Sequence, residues 1–170
     1  PKNASLHYNL GLVLCRMERP EDALAAFRAA LKHAPDHVNA LFEKASAQME
    51  LGRIEEAEAG FAAYTARVAD DADGWLNLAR LRLRLDRAEG AAEAFARAST
   101  LRKDDIEARI GAAEAKLRLG QASGLADLRA LHGERPDLRA RLLKAMTQGP
   151  RGRIPLASQA LTRGAAGEGG

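Results

Sequence analysis

Residues 10–35 read LGLVLCRMERPEDALAAFRAALKHAP, and this stretch decides the fold because its pattern returns at a constant interval. Three of the four phenylalanines, Phe27, Phe61 and Phe95, lie 34 residues apart. A row of alanines repeats at the same interval, with one alanine four residues before each of these phenylalanines. A fixed period of this length is typical of repeat proteins, in which each unit buries its apolar face against the next.

Each period contains two segments whose apolar residues follow the i, i+3, i+4 spacing of an amphipathic helix. In the first unit these two stripes are Leu6, Leu10, Val13 and Leu14, then Ala23, Phe27, Ala30 and Leu31. Pro20 suits the first turn of a second helix, and Gly52 and Gly120 are expected to end first helices in later units. After each second helix we expect a stop and a new N-cap, in the segments 34–36, 69–71, 103–105 and 135–137.

With these residues the chain resembles the tetratricopeptide repeat, a helix-turn-helix motif of 34 residues, over roughly residues 4–138. The first unit matches the motif at Leu10, Gly11, Leu14, Ala23, Phe27, Ala30 and Pro35. The fourth unit departs from it, because Gly120 to Gly124 is one residue shorter than Gly52 to Ala57. A one-residue deletion is expected in that turn, with Leu128 and Leu131 at the positions of the motif's Phe and Ala.

The resemblance implies an all-α, right-handed solenoid of four helical hairpins. The hairpins are expected at about residues 4–37, 38–71, 72–105 and 106–138. The segment 138–147 predicts a further amphipathic helix that caps the last hairpin, so that the solenoid domain covers residues 1–147. The composition of residues 148–170 is that of a disordered tail or flexible linker.

In the family, the first helices of successive units line a concave face on which partner peptides bind. The resemblance places on that face Tyr8, Leu12, Cys15, Arg16, Phe42, Ser46, Met49, Glu50, Leu76, Arg80, Leu83, Arg84, Ile110, Glu114, Leu117 and Arg118. An apolar strip bordered by arginines is typical of a partner site, so we expect an acidic residue of the partner to face Arg80, Arg84 and Arg118. The alternative is that these apolar side chains only pack neighbouring helices together and that the arginines form a solvated face.

The charge distribution and the cysteine content argue against a nucleic-acid-binding protein and against a disulfide-stabilised one. The formal charge is +3, but six basic side chains against one acid give residues 138–170 a charge of +5, which leaves −2 for residues 1–137. This distribution argues against a nucleic-acid groove along the body. The single Cys15 excludes an intrachain disulfide and is consistent with a reducing compartment, so a cytoplasmic location is expected.

Membrane insertion, metals and cofactors are not expected either. No stretch reaches the roughly 18 apolar residues that a membrane-spanning helix needs. His33 and His37 have the i, i+4 spacing of a zinc site, but Pro35 interrupts the helix that would bring them to one face. No nucleophile and base, and no phosphate-binding loop, are recognisable in the sequence.

We therefore expect a non-catalytic protein-binding module that holds a peptide or helical segment of another protein on its concave face. One alternative is that the repeats are the accessory part of a larger enzyme, such as a transferase, or of an assembly factor. A second alternative is a self-assembling scaffold, in which the N-terminal unit packs on another copy through Leu6, Leu10 and Leu14.

Overall fold

The structure is a computed structural model that describes residues 2–147, and within this range it contains nine α-helices and no β-strand. The helices are α1 (Lys2–Arg16), α2 (Pro20–His33), α3 (Val38–Glu50), α4 (Ile54–Thr65), α5 (Ala72–Arg84), α6 (Ala88–Leu101), α7 (Ile106–Arg118), α8 (Ser123–Glu134) and α9 (Arg139–Thr147). A short 3₁₀ turn, Pro136–Leu138, precedes α9. The expected all-α class is confirmed, whereas the expected tail at residues 148–170 lies outside the described range.

The helices pack in the order in which they occur in the chain. Helices α1 and α2, α3 and α4, α5 and α6, and α7 and α8 form four hairpins, and the second helix of each of the first three hairpins packs against the first helix of the next. Helix α9 contacts both α7 and α8. None of the helices between residues 2 and 147 has the length and apolarity needed to cross a membrane.

The three phenylalanines of the repeat fill the interior of this stack. Phe27 and Phe61 are fully buried, and Phe95 is almost fully buried. Glycines make room for two of the rings, since a Cβ atom at Gly11 would overlap with Phe27 and one at Gly111 would overlap with Phe95. The recurring small residues therefore allow the helices to approach closely around a large ring, as a tightly packed interior requires.

The first helix of each of the four hairpins is followed, two residues after its end, by a residue with positive φ. The angles are 55° at Glu18, 71° at Gly52, 56° at Asp86 and 73° at Gly120, and the four positions are 34 residues apart. The expected role of Gly52 and Gly120 is thus confirmed. The left-handed conformation disfavours side chains with a Cβ atom, so Glu18 and Asp86 place local strain in the first and third turns.

Of the four N-caps expected from the sequence, two agree with the structure and two differ. Asp71 accepts a hydrogen bond from the backbone N–H of Asp73 at 3.0 Å, and Asp105 accepts one from Ala108 at 3.0 Å. Helix α3 is instead capped by His37, whose Nδ1 accepts from the N–H of Ala40 at 3.2 Å. The cap expected within residues 34–36 is therefore wrong by one residue, because α3 begins at Val38 and an imidazole nitrogen serves as the acceptor. In the segment 135–137 the chain enters the 3₁₀ turn, whose N-cap Arg135 makes no side-chain cap hydrogen bond.

The C-terminal end of the stack is closed by α9. Leu142, Ala145 and Met146 are buried there against α7 and α8. Leu128 and Leu131 are also buried, at the positions where the sequence places them in the core. A Cβ atom on Gly124 would come within 2.5 Å of the carbonyl oxygen of Ala113, which shows how closely α8 lies against α7.

The N-terminal end is open. Of the apolar stripe expected on α1, only Leu14 packs against the interior, while Leu6, Leu10 and Val13 are exposed. In the later hairpins this side of the first helix is covered by the second helix of the preceding hairpin. Within the described residues, α1 has no such neighbour.

Candidate functional site

One cavity, with a volume of about 380 Å³, lies between the first helices of the third and fourth hairpins. We call it the arginine cavity. Its lining includes six residues that the sequence places on the partner-binding face: Arg80, Leu83, Arg84, Ile110, Glu114 and Arg118. Phe95 and Gly111 form part of its wall, and Glu107 and Arg141 complete it. Helices α5 and α7 thus bring the predicted arginines into one cavity.

Two glutamates hold most of the arginines of this cavity in place. Glu107 accepts hydrogen bonds from Arg80, at 3.2 Å, and from Arg141 of α9. These contacts, that with Arg141 above all, lower the pKa of Glu107 from its ordinary value. Arg118 donates to Glu114 at 2.9 Å and to the carbonyl oxygen of Leu83 at 2.6 Å. The guanidinium groups are therefore positioned before any partner arrives.

Arg84 differs from the other arginines of the cavity. Its side chain is exposed, and it forms no ion pair or hydrogen bond with any residue of the described range. The lining carries four arginines against two glutamates, so the cavity has an excess of positive charge. Arg84 is the cation that is available to an incoming anion.

A second cavity, of about 290 Å³, lies on the first-helix side of the N-terminal half. We call it the aromatic cavity. It is lined by Tyr8, Asn39, Phe42, Glu43, Tyr64, Asp71 and Asp73. The Phe42 ring meets the edge of Phe61 at a centroid distance of 5.3 Å and that of Tyr64 at 5.1 Å, which fixes the floor of this cavity. The two predicted residues Tyr8 and Phe42 contribute to it.

The surroundings of the aromatic cavity are acidic. Burial and the neighbouring Glu50 raise the pKa of Glu43 above its ordinary value. Burial, Glu50 and Glu43 likewise raise the pKa of the Cys15 thiol. A thiol with a raised pKa stays protonated at neutral pH, which is the opposite of what a nucleophilic cysteine requires.

The other residues assigned to the partner-binding face lie outside the lining of the two cavities. Leu76 and Leu117 are buried, and they belong to the hydrophobic clusters of the core. Leu12, Ser46, Met49 and Cys15 are half-buried, whereas Arg16 and Glu50 are exposed. Contact of these side chains with a partner stays a prediction.

Glu107 and Arg141 line the arginine cavity although the sequence pattern did not single them out. Arg141 lies on α9, and the apolar spacing that predicts this helix gives no information about its charged side chains. Glu107 occupies the first turn of α7, where an acidic residue already has a reason to occur because it interacts favourably with the helix dipole.

The histidines of the first hairpin have separate structural roles. His37 caps α3, and the ring of His33 stacks on that of His7 with a centroid distance of 5.5 Å. Across residues 2–147, no group of three or more His, Cys, Asp and Glu side chains is placed to hold a metal ion.

The hydrogen bond between Tyr64 and Asp71, in the lining of the aromatic cavity, can be tested through the pKa of Tyr64. Its hydroxyl donates to Asp71 at 2.8 Å, and burial together with this hydrogen bond raises the pKa of Tyr64 to about 12. Because the folded protein holds the phenolic proton more tightly than the unfolded chain, Tyr64 stabilises the fold below pH ~10. This contribution is expected to be lost as the pH rises from about 10 to about 12.

Absorbance titration of the phenolate measures the pKa of Tyr64, and urea denaturation between pH 9 and 12 measures the pH dependence of the free energy of unfolding. In Tyr64→Phe the phenolate transition at about pH 12 should disappear and that of Tyr8 should remain, while stability should fall less steeply between pH ~10 and ~12. Equal pH dependence of stability in the two proteins would contradict the assignment, since Tyr8 and the basic residues are common to both.

The fold and the two cavities define the class of the protein: it is a helical-repeat solenoid whose first helices present charged and aromatic side chains on one side. Its fold is that of tetratricopeptide-repeat proteins. Residues 14–81 match the family model of the tetratricopeptide repeat. No curated protein matches the chain.

Solved structures with the same fold support this assignment. A tetratricopeptide repeat protein from Parabacteroides merdae has a TM-score of 0.74 and 22% identity over 87% of this chain, which spans 60% of that protein. YrrB, described as a TPR protein with an unusual peptide-binding site, has a TM-score of 0.75 and 20% identity over 82% of this chain and 72% of its own. The first TPR of Spaghetti (RPAP3), bound to the HSP90 peptide SRMEEVD, has a TM-score of 0.65 and 17% identity over 71% of this chain and 95% of its own.

Proposed function

We propose that this protein is a binding module that takes up a peptide or helical segment of another protein along its first-helix side. The segment places an acidic residue in the arginine cavity. The observation that carries the proposal is the exposed Arg84, which has no ion-pair partner within residues 2–147, in a cavity whose other arginines are already held by Glu107 and Glu114. The fold supports the coarser part, since tetratricopeptide repeats serve in protein–protein interaction.

The chemistry of the cavity favours a carboxylate. An arginine binds a carboxylate through two parallel N–H donors, and such charge-assisted hydrogen bonds are about twice as strong as neutral ones. The floor formed by Leu83 and Ile110 is apolar and buried, which suits the aliphatic part of a neighbouring side chain. An acidic residue next to an apolar one is therefore the expected signature of the bound segment.

The solved relatives lend support at the level of the fold. The YrrB structure is described as having a peptide-binding site, and the RPAP3 repeat holds a peptide whose sequence, SRMEEVD, contains three acidic residues. Binding of chaperone C-termini by the family's carboxylate clamp is not what we propose here. In this chain Tyr8 and Leu12 stand where the clamp has its first Lys and Asn.

The proposal is tested by selecting binders from a random-peptide display library against the 170-residue chain. We expect the selected peptides to be enriched in Asp and Glu next to apolar residues. Arg84→Glu should weaken binding of a selected peptide about 10-fold or more, because it replaces a charge-assisted hydrogen bond, worth about 1.5–3 kcal/mol, with repulsion. Isothermal titration calorimetry measures the change.

Arg84 is a better target than Arg80, since Arg80→Glu would place a third carboxylate in the cavity, next to Glu107, and disturb the contact with α9. The matched control is Arg129→Glu, which reverses the charge of an exposed arginine on α8, away from both cavities. Selected peptides without acidic residues, or equal losses in the two variants, would refute the proposed role of the cavity.

A further inference from the structure

The aromatic cavity is built by residues of the first three hairpins. Tyr8 comes from α1, Phe42 and Glu43 come from α3, and Tyr64 comes from α4, while Asp71 is the N-cap of α5. The cavity therefore lies within the stack of hairpins, and its shape is set by helices that pack against one another on the first-helix side.

Aromatic rings form the apolar part of this cavity. The side chains of Tyr8 and Phe42 are half-buried, so each ring keeps part of its surface accessible from the cavity. Phe42 and Tyr64 meet at an interplanar angle of 71°, an edge-to-face arrangement that holds both rings in place. The face of an aromatic ring carries partial negative charge and attracts a cation that lies within about 6 Å of its centre.

The polar part of the lining is acidic and contains no lysine or arginine. Asp73 is paired with Arg102 at 3.0 Å, so its charge is compensated. Asp71 accepts only from neutral donors, namely the hydroxyl of Tyr64 and the backbone N–H of Asp73. Glu43 has no ion-pair partner within residues 2–147. Two of the three carboxylates therefore keep a negative charge that no cation balances.

The titration behaviour of the neighbouring groups agrees with this charge. Burial raises the pKa of Tyr8, and Glu43 raises it further. Glu43 is itself affected by burial and by Glu50, and no cation lowers its pKa. Since a charge interacts more strongly in a partly desolvated cavity than on an open surface, a cation placed here gains more than it would at an exposed carboxylate.

We propose that the aromatic cavity binds a basic side chain of the same segment whose acidic residue enters the arginine cavity. The basic group contacts the rings of Tyr8 and Phe42 and pairs with Glu43. Arginine suits this cavity best, because a guanidinium group can stack on an aromatic ring while it donates to a carboxylate. The inference rests on the proposed function and names a second feature of the partner.

Opposite charges in the two cavities also fix the direction of the bound segment. The aromatic cavity involves the first three hairpins and the arginine cavity the last two, so the two lie toward different ends of the stack. A segment bound in the reverse direction would place its acidic residue beside Glu43 and its basic residue beside Arg84. Such contacts between like charges disfavour the wrong orientation.

NMR titration of the isotope-labelled 170-residue chain with N-acetyl-arginine amide tests the aromatic cavity by itself. We expect saturable chemical-shift changes that are concentrated at Tyr8, Phe42 and Glu43. N-acetyl-citrulline amide has nearly the same shape but no charge. At equal ionic strength it should bind at least about 5-fold more weakly, because it lacks the cation–π and ion-pair contributions.

Glu43→Gln keeps the shape of the side chain and removes its charge, so it should weaken binding of the arginine derivative about 5-fold or more. Tyr8→Leu keeps an apolar side chain and removes the ring, and it should weaken binding about 2-fold or more. The matched control is Glu55→Gln, which neutralises an exposed glutamate of α4 outside both cavities and should bind as the parent chain does.

Equal affinity for the arginine and citrulline derivatives, or shift changes located away from the aromatic cavity, would overturn the inference. Equal losses in Glu43→Gln and Glu55→Gln would also overturn it, since binding would then follow the overall charge of the surface. The probe contains no acidic group and the variants leave Arg84 unchanged, so a negative result here does not bear on the proposed function.

The peptide selection described above separates the two cavities as well. Peptides selected against Glu43→Gln should keep their acidic residues and lose the enrichment in basic ones, and selection against Arg84→Glu should give the reverse. Acidic residues without basic ones in the peptides selected by the parent chain would contradict the role of the aromatic cavity alone.

Discussion

Replacing Phe61 by alanine is expected to lower the free energy of unfolding by about 3–5 kcal/mol. The ring is fully buried in the central hydrophobic cluster, where α4 meets the helices on both sides of it. Its edge-on contact with Phe42 would also be lost. In a solenoid each unit is stabilised mainly by its neighbours, so a cavity in the second hairpin weakens the first and third as well.

Urea denaturation followed by circular dichroism measures this loss. Leu101→Ala is the control, because Leu101 is a large apolar residue that is exposed, and its truncation should change stability by less than about 0.5 kcal/mol. If Phe61→Ala unfolded at the same urea concentration as the parent chain, the packing of the repeat described above would be wrong.

Gly111→Ala is expected to give the second large effect, although alanine is the better helix former. A Cβ atom at this position of α7 would come within 2.2 Å of the ring of Phe95, which is buried. Overpacking of a close-packed core typically costs about 1–3 kcal/mol. Since the gain in helix propensity is only about 1 kcal/mol, we expect a net loss of stability.

Gly133→Ala separates the two contributions. Gly133 also lies in a helix, α8, but nothing lies within 4 Å of the Cβ atom that the substitution adds. Only the gain in helix propensity remains there, so this variant should be more stable than the parent chain by up to about 1 kcal/mol. Urea midpoints of Gly111→Ala and Gly133→Ala, each compared with that of the parent chain, separate the cost of overpacking from the gain in helix propensity. Equal shifts in the same direction would contradict the close contact between Gly111 and Phe95.

The 34-residue period was sufficient to predict the all-α fold and the buried positions of Phe27, Phe61 and Phe95. A period determines which residues face the neighbouring unit, and large apolar residues at those positions have no alternative to burial. The period also accounts for Leu128 and Leu131, whose spacing required only a one-residue deletion.

Single positions were harder to predict where the deciding contact involves the backbone or a distant helix. Glu18 and Asp86 adopt positive φ like Gly52 and Gly120, but a glutamate or aspartate in a sequence gives no indication of that conformation. His37 as an N-cap was missed because the neighbouring Asp36 is the more usual capping residue.

The partner-binding face was predictable only as a side of the solenoid. Six of the predicted side chains line the arginine cavity, but the helical spacing could not show that Leu76 and Leu117 are buried in the core. The pattern of an amphipathic helix is the same whether its apolar side meets a partner or a neighbouring helix. Arg141 reaches the cavity from α9, and only the packing of that helix reveals this contact.

The position of Arg141 links the end of the stack to the arginine cavity. Helix α9 is nine residues long, closes the hydrophobic interior with one side, and extends an arginine to Glu107 of the arginine cavity with another. Undocking of α9 would therefore expose its buried apolar side chains and would also leave Arg80 as the partner of Glu107. The integrity of the last helix and the arrangement of charges in the cavity thus depend on each other.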